Sequence, residues 1–210
     1  MNTTINSMAD SLYYSLWFPK FRFAALPEKL VLVMQQMPQP LVTAASVYPL
    51  DWQQTPSFQR IFSTRETYPD EAATPEAAVA EATASLHEDC AYEFELPWSL
   101  WYPDTDGLLD PIWKEEMRIV RIVGLGPEFD QASFEQNGQI LIDFGLDTPF
   151  LYEDTPLDEE GQIHVQQNVE QLVAFTTAVE KSCGVETRLL WSESDDNLAQ
   201  KLIARLQKLH

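Results

Sequence analysis

Between Tyr13 and Tyr102 the chain alternates short aromatic runs, several ending at prolines, with two stretches of helical periodicity; this order restricts the fold more than any other feature. The run from Tyr13 to Phe18 (YYSLWF) reads as a strand closed by Pro19. Leu26, Leu30, Val31, Val33, Met34 and Met37 then recur on one helical face. Pro27 suits the first turn of that helix, and Pro38 and Pro40 stop it, so a helix is expected over about 26–37. Leu41 to Leu50 and Phe58 to Thr67 read as two further strands. Thr74-Pro75-Glu76 is a helix start: a hydroxyl N-cap, proline at the first helical position and an acid favoured by the helix dipole. The Ala-rich stretch carries this helix to Leu86. Tyr92 to Tyr102 (YEFELPWSLWY) is the next strand, and Pro97 inside it favours an edge or a bulge.

The order β-α-β-β-α-β over residues 1–106 is that of a ferredoxin-like arrangement, in which the first and fourth strands lie side by side. The acidic, turn-rich segment Asp104 to Pro111 (DTDGLLDP) is the natural boundary. Residues 112–210 read as β-β-α-β-α: strands at 117–125 and 139–146 with an Asn137-Gly138 turn signal between them, then an acidic loop. A long helix carrying Val165, Val169, Leu172, Val173, Thr176 and Val179 follows, with Gly184 as C-cap. Thr187 to Trp191 is a short strand, and Leu198, Leu202, Ile203, Leu206 and Leu209 form the stripe of a final helix. The expected class is α+β, mainly antiparallel, with helices on one face, either as two halves or as one continuous domain. Ser15-Leu16-Trp17-Phe18-Pro19 is echoed by Ser99-Leu100-Trp101-Tyr102-Pro103, too briefly to define a repeat.

Charge narrows the partners. The 210 residues hold 33 acids against 13 Lys and Arg, a formal net charge of −20. Such a chain repels phosphate backbones and anionic lipid, so neither nucleic acid nor a membrane surface is an expected partner; the charge reads first as solubility, with a basic protein partner or mimicry of nucleic acid as the sharper alternative. No apolar run approaches a membrane span, and the first eleven residues lack the pattern of a signal peptide. Cys90 and Cys183 are too few for a disulfide framework, so a reducing, cytoplasmic setting is expected.

The common catalytic constellations are absent. There is no G-x-S-x-G elbow, no C-x-x-C, no H-E-x-x-H and no pair of histidines at helical spacing among His87, His164 and His210. No metal or cofactor is expected. The acidic runs Asp104–Asp106–Asp110 and Glu153 to Glu160 lack the spacing of a calcium loop. Gly124-Leu125-Gly126-Pro127 lacks the third glycine and the lysine of a phosphate cradle and reads as a turn. Glu93 and Glu95 read as the solvent face of an edge strand. Arg118 and Arg121, like Arg60 and Arg65, read as surface ion-pair partners.

Six tryptophans are left to explain. Trp98, Trp101, Tyr102 and Trp113 flank the 104–111 boundary, where a cleft would form, and are the expected ligand-binding group. Asp143 joins them as the one acid inside an apolar run, although strand alternation turns it outward. The leading expectation is a non-catalytic binding or interaction protein that uses an aromatic-rich surface and dimerises through a sheet edge or face. An acidic inhibitor or immunity-type protein for a basic partner is the alternative, and a carboxylate-based enzyme is the third reading.

Overall fold

The computed structural model describes residues 10–49, 59–63, 72–104, 112–152, 157–193 and 197–207, with backbone alone for 59–63 and 104. The strands are β1 (Ser11–Trp17), β2 (Ala44–Pro49), β3 (Gln59–Ser63), β4 (Cys90–Asp104), β5 (Ile112–Leu125), β6 (Ile140–Leu146) and β7 (Thr187–Ser192). The α-helices are α1 (Leu26–Met34), α2 (Pro75–Ala82), α3 (Gln131–Asn137), α4 (Thr148–Leu151), α5 (Glu159–Ser182) and α6 (Leu198–Gln207).

The strands form one seven-stranded sheet in the order β3-β2-β4-β5-β6-β1-β7, and every neighbouring pair is antiparallel. The element order of the first half is the expected one, but the ferredoxin-like neighbours do not form. β5 and β6 stand between β1 and β4, and β1 lies between β6 and β7. Both stretches of the chain therefore supply one sheet.

Period-two alternation divides the side chains. Leu12, Tyr14, Leu16, Tyr92, Phe94, Leu96, Trp98, Ile122, Ile142 and Phe144 are buried in a single core cluster that also takes in the inner faces of α1, α2, α5 and α6. The edge-on aromatic contacts of Trp98 with Phe144 and Phe175, and of Phe144 with Phe150, fix α4 and α5 over this face. The opposite face carries Tyr13, Ser15, Glu93, Glu95, Arg121, Leu141 and Asp143 as register partners or their alternates. The helices of the core cluster pack on the first of these faces.

Local chemistry explains the helix ends. The Thr74 hydroxyl accepts the Ala77 N–H and caps α2, as expected. Asp158 accepts the Gly161 N–H at 2.7 Å and caps α5, with Glu159 and Glu160 in its first turn and Lys181 in its last. Gly184 follows α5 with φ +66°, the left-handed conformation expected of it. The Gly124–Pro127 stretch is where β5 leaves the sheet: Gly124 and Leu125 end the strand, the turn starts at Pro127, and Gly126 between them packs so closely on the Glu88 carbonyl that a Cβ there would clash with it.

β4 and β5 pair without interruption from Ala91 opposite Leu125 to Asp104 opposite Ile112. β5 thus starts five residues before the expected Met117. β2 accompanies β4 only over Cys90 to Glu95. Glu93 and Glu95 consequently stand in the middle of the sheet and not on an edge: Glu95 is 3% exposed, and Glu93 accepts the Tyr48 hydroxyl at 3.0 Å. The edge begins just beyond, where Pro97 sits, so the proline's meaning was read correctly and its range was not.

Candidate functional site

The free edge of β4 is sealed by α5. Asn168, fully buried, accepts the Trp101 N–H at 2.9 Å and donates to the Trp101 carbonyl at 2.9 Å. Its side-chain amide thus takes the place of a neighbouring strand. The same Nδ2 also donates to the Pro149 carbonyl at 2.9 Å. α5 reaches this position because its apolar stripe, from Val165 through Val169, Leu172 and Phe175 to Val179, is buried against the sheet. The polar residues flanking that stripe on one side, His164, Gln167 and Gln171, are then carried along β4.

These residues organise the tryptophans. Trp98 donates its indole N–H to Gln171 Oε1 at 2.8 Å and is 1% exposed. The His164 ring stacks on Trp101 with centroids 3.9 Å apart and lies 5.6 Å from Trp113. Its Nδ1 is 3.3 Å from Gln167 Oε1 and its Nε2 is 3.7 Å from Glu160. Trp113 is 6% exposed, with Tyr152 5.5 Å away. Tyr102 is half-buried under the Arg118 guanidinium, 4.1 Å from its ring centroid. Burial raises the Tyr102 phenol above its usual pKa, with Arg118 pulling the other way.

The expected ligand group is thus divided. Trp98 and Trp113 are enclosed and offer no open ring face, while Trp101 and Tyr102 are half-buried. Asp143 lies on the opposite sheet face from the core side that holds Trp98. There it meets Arg121 at 3.6 Å and accepts the Gly145 N–H at 2.8 Å. Arg118 pairs with Glu116 at 2.7 Å, so both described arginines form the surface pairs expected of them. The segment 105–111, residues 153–156 of the acidic run, and the side chains of Arg60 and Arg65 lie outside the described residues. Among the described residues no three His, Cys, Asp or Glu side chains gather as metal ligands. No described helix is long and apolar enough to cross a membrane.

What remains open beside Trp101 is a groove of about 490 Å³, lined by Trp101, Glu115, Gln167, Glu170, Gln171 and Ala174. Glu115 is there because it is the cross-strand partner of Trp101. The α5 residues are there because 167, 170, 171 and 174 share one helical side. Glu170 accepts the Gln166 amide at 2.8 Å, which steadies its carboxylate at the rim. Among the described residues the lining thus combines an indole, two carboxylates and two amides, with no cation. Only Trp101 of this set was singled out from the sequence. The polar side 164–167–171 flanking an apolar stripe was the available signal for the rest.

No family model, no curated protein and no solved structure matches this chain. The fold itself defines its class: a two-layer α+β protein with helices over one face of an antiparallel sheet.

Proposed function

We propose that the chain is a non-catalytic interaction protein that receives a basic side chain of a partner protein in the Trp101 groove. The observation that carries this reading is the composition of that groove: carboxylates of Glu115 and Glu170 around an indole, with no Lys or Arg among the described lining residues. A guanidinium or ammonium group is held by the carboxylates, offered acceptors by Gln167 and Gln171, and attracted by the indole ring. His164 stacks on the Trp101 ring, so the ring is held in place before a ligand arrives. The net charge of −20 supports fast, steered association with a basic partner. It argues equally against nucleic acid. Two buried cysteines without a disulfide suit the reducing cytoplasm.

This joins two expectations, the aromatic surface and the acidic protein for a basic partner, at one place. The aromatic surface is narrower than expected, since Trp98 and Trp113 are packed away. The carboxylate-enzyme reading gains no support, because Asp143 is engaged by Arg121 and by the Gly145 amide.

Calorimetric titration with a Lys- and Arg-containing peptide, and with its Gln-substituted counterpart, tests the proposal. The basic peptide is expected to bind, and its affinity to fall steeply with salt. Equal binding of both peptides, or salt-insensitive binding, would overturn it.

A further inference from the structure

The molecule treats its sheet edges unequally. The free stretch of β4 is sealed by Asn168, a buried side chain whose amide mimics a strand. β7, the outermost strand, has β1 as its single neighbour and receives no such seal among the described residues. Its pairing with β1 runs from Leu12 opposite Ser192 to Trp17 opposite Thr187 with no register shift. Its six residues, TRLLWS, contain no proline and no lysine, the residues that usually blunt an edge. Thr187, Arg188 and Leu189 are exposed, Leu189 by 51%. Arg188 is drawn toward Glu180 at the end of α5 and does not stand guard over the edge.

We propose that two copies of this chain join through β7, antiparallel about a two-fold axis, so that their sheets become one. The charge distribution selects a second copy as the occupant. Two chains of −20 repel each other wherever carboxylates meet, but Thr187–Ser192 carries one cation and no acid. A basic partner is drawn instead to carboxylate-bearing surface.

The alternation selects the register. Tyr14 lies opposite Leu190, which puts Leu190 on the core face; Tyr13 lies opposite Trp191, which puts Leu189 and Trp191 on the other face. Face-matched pairing centred on Leu190 sets Leu190 against its own copy and Arg188 against Ser192. It sets Leu189 of each copy against Trp191 of the other, extending the Tyr13–Trp191 stack, whose centroids are 4.6 Å apart. Centring on Leu189 would place Arg188 against Leu190, and centring on Trp191 would place Leu189 against Glu193. A one-residue slip would set residues of the core face against residues of the other face.

Sedimentation equilibrium of the full chain across the micromolar range tests the pairing. The wild type is expected to reach twice the monomer mass. Leu189→Lys, a change at an exposed position, is expected to return it to a monomer with unchanged circular dichroism. Leu190→Cys is expected to form an intermolecular disulfide on mild oxidation, with Cys90 and Cys183 buried and silent. Ile203→Cys, at an exposed site on α6, is the control and is expected not to. A monomer throughout the range, a dimer that Leu189→Lys leaves intact, or equal cross-linking at residues 190 and 203 would overturn the proposal.

Discussion

Asn168 shows how much a single side chain can decide. Replacing it by Leu would leave the N–H and carbonyl of Trp101 and the carbonyl of Pro149 without their present partners in a closed site. Each such group costs about 1–3 kcal/mol, so Asn168→Leu is expected to destabilise the protein by about 3 kcal/mol in urea unfolding. Trp98→Ala, which empties the space between Phe144 and Phe175, is expected to cost about 3–5 kcal/mol. Two buried acids give a pH signature. Burial pushes the Tyr14 phenol up to about 12 and the Cys183 thiol up to about 11. In the unfolded chain both lose their protons at lower pH, so the stability they confer is full below their unfolded pKa values. It is lost as pH rises through the window ending near 11 for Cys183 and 12 for Tyr14. Stability is expected to fall from pH 8 to pH 11.5, and less steeply in Tyr14→Phe; an unchanged slope in that variant would contradict the assignment. The roles of these residues were only partly legible in the sequence. A Trp in an apolar strand is visible as a core candidate. That an Asn in an apolar helical stripe caps a strand 67 residues away is a consequence of packing and carries no local signal.

At the scale of elements, strong local chemistry was readable. The Thr74-Pro75-Glu76 start, the apolar stripe of α5 and its Gly184 end all appear where the sequence puts them. Three features escaped: α4, a single turn inside the stretch that reads as an acidic loop, α3, and the start of β5. α3 is seven residues capped by Asp130, which accepts the Ser133 N–H, and it buries no residue, so hydrophobic periodicity could not reveal it. The first residues of β5, Ile112 to Glu116, are too charged to read as a strand; their pairing with β4 makes them one. The groove belongs to this scale, because α5 and the β4–β5 hairpin create it jointly. Removing the α5 cap with Asp158→Ala is expected to cost about 1 kcal/mol in the same unfolding assay. Glu115→Gln and Glu170→Gln are each expected to weaken a basic peptide about 2- to 5-fold, the scale of exposed ion pairs, while leaving stability unchanged. Calorimetry at low salt measures the difference.

For the whole molecule, the α+β class and the antiparallel sheet followed from the element order, and the strand order did not. Inserting β1 between β6 and β7 rests on contacts far apart in sequence, such as Tyr14 with Ile142 and with Leu190. Nothing in a window of ten residues encodes that choice. The acidic balance acts at the same scale: it governs which partners approach, whereas the core decides the fold. The two proposed contacts respect this division, with carboxylates lining the groove and an acid-free strand at the sheet edge.

Mapping a bound basic peptide onto the chain by the shifts of its amide and indole N–H NMR signals tests the central proposal most directly. Shifts are expected to concentrate at Trp101, Glu115, Gln167, Glu170, Gln171 and Ala174, and to vanish in the Glu115→Gln/Glu170→Gln double variant. Shifts centred on Tyr13 and Trp191, or left intact in that variant, would contradict it.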